Sequence, residues 1–304
     1  TTTVNGGTLR LGTGGSLASA SALIMTGTSI FDLYGNSQSI ASLTGATGNT
    51  VLNSKVGSTS TLTVVGGTTT YAGVIADNAG TGGSVALALS GGSLTLSGAN
   101  TYTGTTTINS GTLHISNNTG LGSNSGGAVT INAGATLDLV SVTVGTKAVI
   151  LNGGTLADAT SSLAGNISFT SASTINTATG DTLTLSGILS GNYGFTKTGA
   201  GTLVLTNSAN AYLGTTTVSA GTLSLTGTGS IATSSSLINN ATFDISGTTS
   251  GASIISLSGN SSGSVVLGSK TLTITSAADT FAGVISGTNG NLVISGGTQV
   301  LTNT

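Results

Sequence analysis

The stretch Asn100–Leu113, "NTYTGTTTINSGTL", returns almost unchanged at Asn210–Leu223 as "NAYLGTTTVSAGTL". A shorter copy, "TTTVNGGTL", opens the chain at Thr1. Anchoring on the TTT string divides the 304 residues into three divergent repeats, 1–104, 105–214 and 215–304, within one expected domain. The agreement extends beyond the anchor. "GSLASASALIMTGTSIFDLYG" from Gly15 aligns with "GSIATSSSLINNATFDISG" from Gly229, and "TYAGVIA" from Thr70 with "TFAGVIS" from Thr280. The middle repeat diverges more but keeps "GATLDL" at Gly134.

Inside each repeat the pattern is short and alternating. "TLTLSG" at Thr182, "TLVLTN" at Thr202 and "TLTITS" at Thr271 alternate polar and apolar residues with period two, and Thr, Val and Ile suit a pleated surface. Gly, Asn and Ser punctuate the strands every few residues, and no window carries helical spacing. A two-sheet sandwich accommodates the alternation. Echoing strand-turn units suit a solenoid better, because each coil buries its apolar face only against its neighbours. The expected fold is all-β: a right-handed parallel β-helix of about 15 coils stacked at the ~4.8 Å strand spacing. In "TTTINSGTLHI" the alternation places Thr106 and Ile108 on one face and Leu113 and Ile115 inward. The outward position between the latter two is Arg10, His114 or Ser224 in the three copies, a variation expected of a solvated face.

Composition narrows the function. Charged residues make up 4% of the chain, against about 25% in ordinary domains, which leaves little for catalysis. Apolar residues are plentiful and net charge is only −2, so the chain is expected to fold. Arg10, Lys55, Lys147, Lys197 and Lys270 are scattered singly, so no basic patch meets nucleic acid. No apolar run approaches the ~20 residues of a membrane helix. No signal peptide is visible; one already removed, or a longer parent chain, accounts for that. The absence of Cys excludes disulfide and thiol chemistry.

"GFTKTGAGTLVLTNSANAYLGTTTVSAGTLSL", Gly194–Leu225, resembles the passenger-associated repeat of bacterial autotransporters. Lys197, Gly199, Gly201, Thr202, Leu203, Leu205, Asn210, Tyr212, Gly214, Thr216, Val218, Gly221 and Leu223 match its motif in order. A second copy, Gly92–Leu113, matches without the lysine. The motif covers about a third of the chain. The resemblance implies a secreted or surface-displayed right-handed β-helix on a bacterium, with the repeat assisting export and folding. No barrel strands or N-terminal effector domain are recognisable, so the expected role is that of a stalk.

An enzyme is not expected, and no catalytic, cofactor-binding or metal-binding residue is assigned. There is one His and no Glu; the acids are Asp32, Asp77, Asp138, Asp158, Asp181, Asp244 and Asp279. Asp32, Asp138 and Asp244 recur at one position of each repeat, about five coils or ~24 Å apart. That is too far for a shared proton or metal, and each is expected to be an exposed polar or turn residue. His114 lies between Leu113 and Ile115 with no defined triad partner. Tyr102 and Tyr212 recur at equivalent sites, suiting corner packing better than an aromatic shelf for sugar. The Gly pairs lack the following helix of a phosphate loop.

The chain ends, at "GGTQVLTNT", where the motif of the other repeats begins, and it starts where that motif resumes. Two explanations fit: a window from a longer passenger, or chains stacking end to end as a filament. The expected partners are therefore the chain itself or flanking repeats, then cell-surface glycans or other cells. The functional expectation is a non-enzymatic extracellular rod acting as stalk, adhesin or fibre; the alternative is a carbohydrate-binding β-helix module. Few Lys and Arg within buried strands also predict resistance to trypsin.

Overall fold

A computed structural model describes residues 1–78, 80 and 82–303. Thr304, the last residue of the third repeat, lies outside the described residues. The fold is an all-β parallel solenoid of about 15 coils, with no helix among the described residues. Its contacts divide into two compact units, Thr1–Ile150 and Leu151–Thr304.

In the first unit, strand Thr2–Arg10 lies parallel on Ala22–Asp32, with a register shift between Asn5 and Gly7. Ala22–Asp32 then pairs with both Ser42–Gly45 and Thr50–Leu52. Further on, Thr59–Val64 pairs with Ser84–Leu96, which pairs with Thr106–Ile115, and that strand with Val129–Asn132 and Ala135–Val140. Leu94, Leu113 and Leu137 stack as one inward column, each fully buried.

In the second unit the column is longer. Leu183 sits on Leu203, Leu203 on Leu223, Leu223 on Phe243, Phe243 on Val265 and Val265 on Ile285. The first five are completely buried. Burying each such side chain contributes about 1.5–3 kcal/mol, so the columns supply the main stabilisation. Between them Thr182, Thr202, Thr222 and Thr242 align on successive rungs, half-buried, carrying the polar alternate position. Thr106, Ile108, Leu113 and Ile115 are all buried, as the alternation predicts.

Candidate functional site

The two longest copies of the motif form matching polar and aromatic constructions, one in each unit. In the first, Asn100 is buried and joins three coils: its Oδ1 accepts the Ile75 N–H at 2.8 Å and its Nδ2 donates to the Gly120 carbonyl at 2.7 Å. In the second, Asn210 does the same between the Leu189 N–H at 2.8 Å and the Ser230 carbonyl at 3.0 Å. An amide carries both donor and acceptor, so a single side chain can serve the coil before and the coil after.

Two residues on, Tyr102 and Tyr212 are fully buried, each with its hydroxyl against a buried threonine. The distances are 2.6 Å to Thr106 Oγ1 and 2.5 Å to Thr216 Oγ1. Burial pushes both phenols well above their usual range, outweighing these hydrogen bonds. Corner packing is thus their role, and neither ring offers a shelf to a sugar. Gly104 and Gly214 follow. A Cβ would come within 2.3 Å of the Val85 carbonyl oxygen at the first and 2.0 Å of the Gly194 nitrogen at the second. Only glycine lets the neighbouring coil approach so closely.

Two of the singly scattered lysines are drawn into the core. Lys147 and Lys197 are fully buried. Lys147 Nζ donates to the Ser123 carbonyl at 3.0 Å and sits 5.7 Å from the Tyr102 ring centroid. Lys197 Nζ donates to the carbonyls of Thr198, Gly199 and Ala220 at 2.7, 2.8 and 3.2 Å. Desolvation lowers both ammonium groups' affinity for the proton, and brings Lys197 to about 8. The signal was present in the alternation. In "FTKT", Phe195 and Lys197 share the inward positions of strand Phe195–Thr198.

Of the recurrent aspartates, Asp138 and Asp244 are partly exposed as expected, and Asp32 is not. Rung by rung, Arg10 lies beside Asp32, His114 beside Asp138 and Ser224 beside Asp244. Within each repeat the two positions read separately from the sequence are therefore neighbours on adjoining rungs. Asp32 is buried, not exposed. Its Oδ2 meets Arg10 Nε at 2.7 Å and Ser54 Oγ at 2.6 Å, and its Oδ1 accepts the N–H groups of Tyr34 and Ser54, each at 3.0 Å. Burial acts to raise its carboxyl, but these hydrogen bonds prevail and hold it below the ordinary value. His114 Nδ1 meets Asp138 Oδ2 at 2.7 Å, both side chains half-exposed. Ser224 is buried despite its outward position, because the bulkier Val204 and Asp244 flank it on the adjoining rungs.

His114 pairs with Asp138 in the first unit, and Ser224 is the rung neighbour of Asp244 in the second. No three His, Cys, Asp or Glu side chains converge among the described residues. No helix of the described residues is long and apolar enough to cross a membrane.

Comparison with known proteins agrees with this geometry. The family model of the passenger-associated-transport-repeat matches residues 89–115 and 195–225, the segments that hold the two constructions. The chain is 35% identical over 164 residues to an Adhesin BmaC autotransporter of Brucella suis biovar 1 (strain 1330). That alignment covers 54% of this chain and 4% of the relative, so the chain corresponds to a small part of the relative's length. No solved structure matches. The repeats, the relative and the parallel solenoid together support an autotransporter passenger domain.

Proposed function

We propose that the chain is a non-enzymatic, surface-displayed solenoid segment of a bacterial autotransporter passenger, serving as an adhesin-like stalk. The observation that carries this reading is the use made of the repeat motif. Its Asn fastens coil to coil, its Tyr and Thr bond to each other inside the core, and the buried lysines bond to backbone carbonyls, Lys147 also lying over the Tyr102 ring. A fastener that recurs along a solenoid suits a part whose work is length and persistence. That the relative is an adhesin autotransporter supports placement outside the bacterial cell. The division into repeats 1–104, 105–214 and 215–304, and head-to-tail stacking into filaments, belong to the same proposal.

Latex beads carrying the purified chain test the adhesive part. Coated beads should clump together or settle on epithelial monolayers more than albumin-coated beads do; equal behaviour would remove adhesion and leave only spacing. Electron microscopy of the native protein tests stacking. Continuous fibres support it, and discrete particles at all concentrations refute it.

A further inference from the structure

Tyr102 and Tyr212 are sealed in the core, but Tyr193 is not. It is 49% exposed, and Leu213 on the adjoining coil is 56% exposed. The two stand on adjoining coils of the second unit, where the Leu213 N–H donates to the Gly191 carbonyl at 2.9 Å. Between them lie Gly194 and Gly214, both held to glycine by contact. A Cβ on Gly194 would come within 1.9 Å of the Thr215 carbonyl oxygen, and one on Gly214 would strike the Gly194 nitrogen. The space over these glycines is a groove of about 290 Å³, bounded also by Asn192, Thr196 and Thr217. No described residue supplies a hydrogen-bond partner to those three side chains, and no charged residue lines the groove.

We infer that this groove binds a neutral glycan. A sugar ring presents one face of C–H bonds and a rim of hydroxyls. Tyr193 offers an apolar platform for the face, since an aromatic ring combines a large contact area with few rotatable bonds. Asn192, Thr196 and Thr217 offer uncharged donors and acceptors for the rim, and the amide can do both at once. The absence of Lys and Arg from the lining disfavours sulfated or other acidic chains. The volume, near the ~300 Å³ lower bound of ligand sites, fits a short stretch of sugar. The first unit argues that the groove is a local addition. There Val85, in the register position of Tyr193, is buried, and Thr103, in the position of Leu213, is tied to Asp77 through its N–H and hydroxyl. The groove stands whether or not the solenoid is a stalk.

The test is affinity electrophoresis of the full 304-residue chain in native gels cast with dextran, a β-1,3-glucan or galactomannan, with heparin as the acidic comparison. At least one neutral polysaccharide should retard the protein. Tyr193→Ala should weaken that retardation about tenfold, the scale of losing one interface anchor, while Tyr193→Phe keeps it. Both variants should retain the wild-type far-UV spectrum, because the side chain is largely outside the core. Retardation by none of the three, by heparin alone, or equally for Tyr193→Ala would overturn the proposal. So would a Tyr193→Ala change that only dissolves self-association in sedimentation velocity, which would make the groove a contact between copies.

Discussion

The two full copies of the motif solve one packing problem with different side chains. In the second, Lys197 reaches the carbonyls of Thr198, Gly199 and Ala220. In the first, register places Leu89 where Lys197 stands and Ser110 where Ala220 stands. There the Ser110 hydroxyl donates to the Ser90 carbonyl at 2.7 Å, the counterpart of the Thr198 carbonyl. A lysine from the core and a serine from the rim thus satisfy the same exposed corner of backbone. The tyrosines differ too. Tyr212 packs against Phe169 and Phe195 at centroid distances of 5.7 and 5.6 Å, whereas Tyr102 packs against the Lys147 ammonium. The fastening principle is common to both; its chemistry is local.

Removing the rings tests this comparison with the largest expected effect. Tyr212→Ala should destabilise the second unit by about 3–5 kcal/mol, the usual cost of truncating a large buried ring. Tyr102→Ala should cost somewhat less, because no aromatic cluster loses a member with it. Hydrogen exchange read peptide by peptide would separate the two units; equal losses would break the distinction. Next come the asparagines. Asn100→Leu and Asn210→Leu each strand one buried N–H and one carbonyl, at about 1–3 kcal/mol per unsatisfied group. Protection should fall on both adjoining coils rather than on one.

The lysine exchange is sharper. Lys197→Leu should cost about 1–3 kcal/mol by leaving carbonyls without a donor. Lys197→Leu with Ala220→Ser, which imitates the first copy, should regain about 1 kcal/mol, one hydrogen bond's worth. A double variant no better than the single in urea denaturation would show that the two solutions are not equivalent.

Titration follows from the same burial. Lys197 titrates at about 8 in the folded chain, against ~10.4 for a free lysine. Across that window the unfolded chain holds the extra proton, so raising the pH favours folding. The buried tyrosines act oppositely: above ~10 the unfolded phenols ionise and the folded ones do not. Urea midpoints should therefore rise from pH 8 to about 10 and then fall. Lys197→Leu should flatten the rise and leave the fall. The smallest effect belongs to Arg10→Ala. Its side chain is 56% exposed, so the ion pair should contribute under about 1 kcal/mol.

Much of this was legible in the chain. Leu183, Leu203 and Leu223 announce their inward column through the period of two, and Asn210-x-Tyr212-x-Gly214 announces its motif. The same alternation in "FTKT" marks Lys197 as inward, although its charge argued otherwise. The pairing of Arg10 with Asp32 and of His114 with Asp138 was not legible. The first pair is separated by 22 residues and the second by 24, so no fixed period links them. Tyr193 could not be told from Tyr102 or Tyr212 by type. It differs because its coil turns it out over two glycines.

The sequence by itself determined that strands alternate, that their apolar faces point inward and that one motif recurs. These are properties of neighbouring residues, set by the pleat. Only the tertiary structure decided which outward residues meet across coils, which cations are sealed inside and which tyrosine is left in solvent. Those outcomes depend on the length of each coil, loops included, and a residue gained in one turn moves every later residue to a new neighbour.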